Sequence, residues 1–324
     1  MSLDRRAFVG AIAGLGISGG EAVARNPLKT AVQSASEPDT VFPIWPSEPP
    51  GGVPNGVEDT VIERDDPLGL RNRAAISVRT PTLSHFKARG AGRGAALIVP
   101  GGGYARVVID KEGFELARLL AAKGVESFVL RYRLPGAAWA AGPDAPLQDV
   151  QRALRLVRRA TGAKTLAIGF SAGGHLVGQL ANRFAEPSYD PIDDADAFSV
   201  KPDGAALAYP VISMRPPFVH EGSRAELLGG AGDEAGITAY SLENTVRTDG
   251  PPQFVFSAID DEAVPVDNAL TYLAAARRAG VEIEAHFFEE GGHGFALRYT
   301  EGLPAAAWPE LLLAWAVRKG VMKG

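Results

Sequence analysis

Short apolar runs alternate with amphipathic stretches along the chain from about residue 57 onward. Most of the apolar runs are nearly continuous, which is typical of strands that are covered on both faces. The strands predicted in this way are 74–78, 95–99, 127–131, 166–170, 205–209, 254–258 and 283–288. Strands that alternate with helices predict an α/β domain, in which a mostly parallel sheet carries helices on both faces.

Two of the amphipathic stretches, 145–160 and 305–317, repeat their apolar residues with the period of a helix. The apolar positions are Leu147, Val150, Leu154 and Val157 in the first stretch and Trp308, Leu311, Leu312 and Trp315 in the second. We interpret both sets as core-facing stripes, and we assign the tryptophans to the core rather than to a cofactor site.

The beginning of the chain has a different pattern. Residues 1–24 combine paired arginines, a short apolar run rich in glycine and alanine, and a small-x-small triplet at 22–24, as a secretory signal does. The run is shorter than the roughly 20 residues that span a bilayer. The arginine pair, followed by Ala-Phe-Val, resembles a twin-arginine export signal. We therefore expect a protein exported to a bacterial periplasm or beyond; the alternative is a cytoplasmic N-terminal helix.

Residues 25–56 are rich in proline, which cannot donate to a β-ladder and restricts the residue before it. We expect this segment to be extended and irregular and to pack on the domain that follows. No composition shift or linker interrupts residues 57–324. The sequence therefore predicts one α/β domain.

The composition of the chain excludes several classes of partner and of chemistry. The 324 residues carry 33 basic and 38 acidic side chains, a formal net charge of −5, and no cysteine. An acidic balance does not favour nucleic acid as a partner, because phosphate binding relies on clustered positive charge. The lack of cysteine excludes disulfides, thiolate metal sites and a cysteine nucleophile. If the protein is exported, the lack of cysteine also fits a chain that folds in the reducing cytoplasm before transport.

The strongest motif is Gly-Phe-Ser-Ala-Gly at residues 169–173, between the strand 166–170 and an apolar stretch that runs through Leu180. A Gly-x-Ser-x-Gly between a strand and a helix is a nucleophile elbow, in which a tight turn exposes the serine hydroxyl. The motif recurs by chance in glycine-rich chains, but its position after a strand favours Ser171 as a nucleophile.

A serine nucleophile needs a base, and the chain has five histidines. His293 lies between glycines directly after the last predicted strand, which favours it as the base. His85 and His286 are expected to be structural or surface residues, and His175 to pack beneath the elbow or face away from its mouth. His220, in a polar loop, stays a candidate for substrate contact.

The third member of a triad orients the imidazole and stabilises its charged form. Asp260, Asp261 and Glu262 follow the strand 254–258, so the order serine, acid, histidine is that of the α/β-hydrolase fold. Spacing alone does not separate Asp260 from Asp261, and a solvated acidic turn is the alternative.

An oxyanion needs backbone donors. One is the amide of Ala172, the residue after the nucleophile, and the others are expected in the glycine loop 100–104, which follows the strand 95–99. A phosphate-binding loop is the alternative there, but no Gly-Lys-Ser/Thr follows. No dinucleotide fingerprint is present and the histidine spacing matches no zinc site, so we expect neither a cofactor nor a metal.

The motifs LIVPGGGY at 97–104, GFSAGGHL at 169–176, DEAVP at 261–265 and GGHGF at 291–295 together resemble the α/β-hydrolase serine esterases. More narrowly they resemble the acetylxylan-esterase-like group, relatives of the hormone-sensitive-lipase type. The resemblance runs from about residue 42 to the end. It implies a central sheet of about eight strands, and it implies Asp261 as the acid, because the family's acid precedes x-x-Val-Pro. Pro100 departs from the histidine of many relatives.

The resemblance implies a serine carboxylesterase that removes acetyl groups from plant polysaccharide or oligosaccharide such as acetylated xylan. Ser171, Asp261 and His293 would be the triad, and the amides of Gly102, Gly103 and Ala172 would hold the oxyanion. Residues 213–252, rich in glycine, proline and charge, are expected to form part of the pocket wall. The substrate would be a small-molecule or carbohydrate ester, with no nucleic acid and no stable membrane insertion after signal removal.

Three alternatives stay open. A serine peptidase of the same fold uses the same triad but usually carries an added propeller or lid domain. A lipase of broad specificity shows a larger apolar lid than residues 213–252 offer. An inactive binding module is the third, because the fold is reused for recognition. The sequence leaves the acyl length, the sugar and the oligomeric state open.

Overall fold

The structure, a computed structural model, describes residues 27–34 and 36–324, and the predicted export signal lies outside the described residues. The described part of the chain forms eleven strands and eight α-helices. The strands are β1 Thr40–Pro43, β2 Thr60–Glu63, β3 Arg73–Ser77, β4 Thr82–Phe86, β5 Gly94–Val99, β6 Val107–Val108, β7 Val125–Arg131, β8 Thr165–Phe170, β9 Gly204–Ala208, β10 Gln253–Ala258 and β11 Ile283–Phe288. The helices are α1 Pro27–Gln33, α2 Glu115–Ala122, α3 Ala145–Thr161, α4 Ala172–Asn182, α5 Glu221–Leu228, α6 Glu234–Tyr240, α7 Asp267–Arg278 and α8 Trp308–Arg318.

Eight strands form the central sheet in the order β1-β4-β7-β5-β8-β9-β10-β11. The six strands from β7 to β11 run parallel to one another, and β4 and β1 add an antiparallel edge. The predicted fold class, a mostly parallel sheet of about eight strands with helices on both faces, is confirmed.

The two faces of the sheet bury different helices because side chains alternate along each strand. In β5, Leu97 and Val99 point into the core shared with α3, α4 and α7, whereas Ala96 and Ile98 point into the core shared with α2 and α8. Both predicted helical stripes face these cores. The sheet is therefore covered on both sides, which explains its continuous apolar runs.

One predicted strand lies elsewhere. Residues 74–78 were predicted as a strand, and the strand found there, β3, belongs to a separate three-stranded sheet in the order β2-β3-β6. Its partner β2 is exposed along its whole length, and β6 has two residues. The period of apolar residues identifies a strand but not the strand it pairs with.

The proline-rich segment is more regular than predicted. It contains the helix α1 and the strand β1, which pairs with β4 at the edge of the main sheet, so the expectation of an irregular segment is wrong over these stretches. After β1, Trp45 is buried in the core and its indole N–H donates to the carboxylate of Asp149 on α3 at 2.8 Å. This segment packs on the domain through specific contacts.

Candidate active site

The candidate site lies where β5, β8, β10 and β11 end, because the carboxyl ends of parallel strands meet at one edge of a sheet. Ser171 forms the turn between β8 and α4 with φ 52° and ψ −118°, an uncommon conformation for a residue with a side chain. Its side chain stands at the N-terminus of α4, where the helix dipole favours negative charge. The turn is the nucleophile elbow expected from the motif.

The glycines beside Ser171 are required by close backbone packing. A Cβ on Gly169 would lie 2.1 Å from the carbonyl oxygen of Gly173, and a Cβ on Gly173 would lie 2.2 Å from that of Val99. Both distances are shorter than any real Cβ contact, and both involve backbone atoms that cannot move aside. The elbow therefore packs against the end of β5 only when both positions lack a side chain.

Ser171, His293 and Asp261 form one chain of hydrogen bonds. The Ser171 Oγ lies 2.9 Å from Nε2 of His293, and Nδ1 of His293 lies 2.7 Å from Oδ2 of Asp261. A carboxylate accepts but does not donate, so Nδ1 carries the proton and Nε2 accepts from the serine. Ser171 is 6% exposed and the Asp261 side chain is fully buried, while 26% of the His293 side chain is exposed. The imidazole thus has the tautomer that a general base needs.

The two neighbouring aspartates have different contacts. Asp261 accepts the amides of Ala263 and Val264 on Oδ1, at 3.0 and 2.8 Å, which leaves Oδ2 for the imidazole. Asp260 is exposed and accepts the amides of Gly291 and Gly292, at 3.2 and 2.8 Å. The structure thus separates the two carboxylates that spacing could not: Asp261 contacts the His293 ring, and Asp260 holds the loop that carries it.

The glycine loop after β5 brings bare backbone to Ser171. A Cβ on Gly101 would lie 2.8 Å from the Cβ of Ser171, and Gly102 has φ 129°, which only glycine adopts readily. Within residues 27–34 and 36–324, the amides of Gly102, Gly103 and Ala172 donate to no protein acceptor. These three N–H groups remain available to a ligand.

Glu112 is a buried residue of this site that the sequence did not single out. Its Oε2 accepts the amide of Gly101 at 2.8 Å, and its Oε1 accepts the hydroxyl of Tyr209 at 3.0 Å. Tyr209, at the end of β9, packs its ring edge-on against His293, with ring centres 5.2 Å apart. Burial and the nearby Glu112 raise the pKa of the Tyr209 hydroxyl well above 10. In the sequence, Glu112 is one of three consecutive charged residues shortly before α2, and nothing there distinguishes it from its neighbours.

Three other histidines have structural contacts. Nδ1 of His175 lies 2.7 Å from the hydroxyl of Tyr104, and Nε2 lies 2.7 Å from the carbonyl oxygen of Tyr240. Because a carbonyl oxygen only accepts, Nε2 carries the proton and donates it to Tyr240. Burial lowers the pKa of His175 to about 4. His85 pairs with a glutamate on β7 and His286 with one on its own strand β11. His175 lies beneath the elbow, one of the two positions expected for it.

Residues 213–252, hereafter the wall, contain α5 and α6. His220 begins α5 in the wall, with its Cε1 3.8 Å from the point where a Cβ on Gly103 would lie. The described residues contain no cluster of three histidine, aspartate or glutamate side chains that could hold a metal ion. In the same part of the chain, no helix is both long and apolar enough to cross a membrane.

Comparison with known proteins finds a solved bifunctional hydrolase, an acetylxylan esterase and a xylanase among the relatives. The chain is 30% identical to an acetyl ester-xyloside bifunctional hydrolase from Caldicellulosiruptor lactoaceticus, with a TM-score of 0.71 over 89% of this chain and 99% of that one. It is 34% identical over 213 residues to an acetylxylan esterase of Xylanibacter ruminicola and 33% identical over 215 residues to endo-1,4-beta-xylanase B of Butyrivibrio fibrisolvens. No protein-family model matches the chain.

These matches cover the chain and its relatives unequally. The alignments span 62% and 64% of this chain but only 41% of the acetylxylan esterase and 33% of the xylanase, so both relatives are much longer proteins. The Caldicellulosiruptor hydrolase is matched over nearly its whole length.

The fold places the chain among the α/β-hydrolases. Within that class it belongs to the serine esterases of the acetylxylan-esterase-like group.

Proposed function

We propose that the protein is a serine carboxylesterase that removes acetyl groups from plant polysaccharide or oligosaccharide such as acetylated xylan. One observation carries the proposal: a continuous hydrogen-bond chain from Ser171 through His293 to the buried carboxylate of Asp261. Beside it lie three backbone N–H groups that have no acceptor among the described residues. A nucleophile, a base held in the required tautomer and an oxyanion site are the components of acyl transfer.

In the first half of the reaction, the Ser171 Oγ attacks the ester carbonyl carbon while its proton passes to Nε2 of His293. The bond to the alcohol oxygen then breaks, and the same nitrogen gives its proton to that oxygen. The sugar leaves as an alcohol, and the acetyl group stays on Ser171. Asp261 stabilises the imidazolium that exists between the two proton transfers.

In the second half, water replaces the alcohol. His293 takes a proton from the water, whose oxygen attacks the acetyl carbon, and the proton returns to the Ser171 oxygen as acetate leaves. Both halves pass through a tetrahedral intermediate with a negative oxygen. The amides of Gly102, Gly103 and Ala172 would bind this oxygen, and losing one such donor typically costs about 100- to 1000-fold in rate.

The choice of acetylated xylan rests on the relatives. An acetylxylan esterase shares 34% of aligned residues with this chain, and an acetyl ester-xyloside hydrolase shares both the fold and 30% of aligned residues. A xylanase is also among them. The two curated relatives are much longer than the matched segment, and the activity proposed for this chain is ester hydrolysis.

A substrate panel tests the proposal. Hydrolysis is measured with the wild-type enzyme and with Ser171→Ala: as release of p-nitrophenol from p-nitrophenyl acetate and longer p-nitrophenyl esters, of acetate from acetylated xylan, and of the amine from aminoacyl amides. We expect the acetyl esters and acetylated xylan to be hydrolysed, and the activity to be lost in the variant. Preference for amides would favour a peptidase, and preference for long acyl chains a lipase. Inactivity on every substrate would favour a binding module, and activity that survives Ser171→Ala would refute the triad.

We also propose that residues 1–24 are a twin-arginine export signal and that the mature protein, beginning with the segment 25–56, acts in the periplasm or outside the cell. The paired arginines, the short apolar run and the small triplet at 22–24 support this. Mass spectrometry of the protein from the culture medium and periplasm should find an N-terminus near Arg25. A mature N-terminus at Met1 would refute it.

A further inference from the structure

His220 has a fixed proton position. Its Nδ1 accepts the backbone amide of Ser223 at 3.1 Å, which makes His220 the N-cap of α5, and the Ser223 hydroxyl lies 2.8 Å from the same nitrogen. A backbone amide can only donate, so Nδ1 cannot carry a proton while this bond exists. The neutral ring therefore has its proton on Nε2.

The ring of His220 lies beside the glycine loop 100–104. Its Cε1 is 3.8 Å from the position of a Cβ on Gly103, and His293 and Asp261 shift the pKa of His220 in opposite directions. Burial and the neighbouring His293 lower the pKa of His220, which favours the neutral ring. Within the part of the chain that the structure describes, Nε2 has no protein partner. A half-buried donor thus stands next to the reaction centre.

The segment that leads to His220 is held firmly. The side-chain oxygen of Asn268, on α7, accepts the amides of Ile212 and Ser213, both at 3.0 Å. Its side-chain nitrogen donates to the carbonyls of Phe218 and Pro265 at 2.8 and 3.2 Å. One amide group therefore joins the start of the wall to the loop that carries Asp261, which fixes the imidazole relative to the triad.

We propose that His220 is a substrate-binding residue that donates its Nε2 proton to an oxygen of the alcohol part of the ester, a hydroxyl or ring oxygen of the sugar. This inference rests on the proposed function. An acetyl group offers one acceptor, its carbonyl oxygen, and that oxygen already faces three backbone donors. A fourth donor with its own fixed position therefore fits an acceptor farther along the substrate, and a sugar supplies several.

The test compares two esters that differ only in those acceptors. A mono-O-acetylated methyl β-xyloside and cyclohexyl acetate both present acetate on a six-membered ring, but the second has no other oxygen on its ring. We measure kcat and KM for both with the wild-type enzyme and with His220→Asn. Asparagine is a good N-cap, so it keeps an acceptor for the Ser223 amide, while its shorter side chain does not reach the place of Nε2.

We expect the preference for the xyloside, expressed as the ratio of the two kcat/KM values, to fall about tenfold in His220→Asn, the usual effect of losing one hydrogen bond. The matched control is His286→Asn on β11, which should keep the wild-type ratio. An equal loss on both esters would overturn the inference and assign His220 to the triad or the oxyanion loop. An unchanged ratio would overturn it as well.

Failure of the inference and failure of the proposed function give different results. If the wild-type enzyme hydrolyses p-nitrophenyl acetate through Ser171 but shows no preference for the xyloside over cyclohexyl acetate, the esterase stands and sugar recognition by His220 is refuted. If no ester is hydrolysed, both are refuted. Loss of folded protein lowers the activity on both esters in proportion and leaves the ratio of the two kcat/KM values unchanged. Thermal unfolding of His220→Asn detects such a loss, and the kinetic constants are then expressed per folded protein.

Discussion

The elbow around Ser171 and the wall formed by residues 213–252 lie on the same site but are specified in different ways. The elbow is a run of five consecutive residues, and its conformation requires both flanking glycines, because a Cβ on either one would collide with the backbone of Gly173 or Val99. The wall depends on distant partners: Tyr240 donates to Asp144 at 2.7 Å, and Asn268 of α7 binds its first residues. A short motif in the sequence is enough to identify the elbow, whereas no short motif identifies the wall.

This difference suggests a division of tasks. Chemistry at the elbow tolerates little change, since the nucleophile must meet base and oxyanion donors within hydrogen-bond distance. Under the proposed role of His220, the wall binds substrate through side chains on short helices that are anchored by residues outside the wall. Substitutions at the elbow and its strand-end partners should therefore abolish activity, and substitutions at the wall should change which ester is preferred.

The largest effect is expected at the carboxylate behind His293. Asp261→Asn should lower kcat about 10⁴-fold with little change in stability, because an amide can hold the imidazole in the wrong tautomer. Asp260→Asn is the matched variant one residue away. It should lower kcat less than about tenfold, since it loosens the loop at Gly291 and Gly292 without touching the ring. Steady-state kinetics on p-nitrophenyl acetate measure both, and a larger loss in the Asp260 variant would reverse the assignment.

The next effect compares a glycine of the elbow with one of the wall. In Gly173→Ala the new Cβ would meet the carbonyl oxygens of Val99 and Pro100 at 2.2 and 2.5 Å, so the free energy of unfolding should fall by about 3 kcal/mol or more. In Gly236→Ala on α6 the closest atom is a side-chain oxygen of Asp233 at 3.1 Å. That variant should change stability by less than about 1 kcal/mol. Chemical denaturation tests the pair, and similar values would contradict the idea that only the elbow is fixed by backbone contact.

The same contrast explains how much the sequence could predict. Ser171, His293 and the glycine loop were identified because each belongs to a short motif at the end of a predicted strand. Glu112 was not identified, because its partners, the amide of Gly101 and the hydroxyl of Tyr209, meet it only in the folded chain. The edge strand β1 was hidden for a related reason: a proline-rich segment pairs with β4 through contacts that no local pattern reveals.

The free energy of unfolding should depend on pH through His175, which lies on α4 and contacts the carbonyl of Tyr240 in the wall. The pKa of His175 is about 4 in the folded protein against an ordinary 6.5, so between these values the unfolded chain binds more protons than the folded one. Stability from this group is complete above pH 6.5 and falls as the pH drops toward 4, by about 3 kcal/mol in total. Urea denaturation between pH 4 and 7.5 measures the slope. His175→Gln removes the titrating group and should flatten it; an equal slope in both proteins would show that other groups cause the acid sensitivity.

The smallest effect concerns Glu112, which accepts hydrogen bonds from Gly101 in the glycine loop 100–104 and from Tyr209, the residue that packs on His293. Glu112→Gln has one acceptor oxygen for two donors, so either the Gly101 amide or the Tyr209 hydroxyl loses its partner. Because this residue positions the loop and does not touch substrate, kcat should fall about tenfold while KM changes less than about twofold. Tyr209→Phe, which leaves the Gly101 bond intact, should lower kcat less. A loss of stability without a change in kcat would instead make Glu112 a purely structural link.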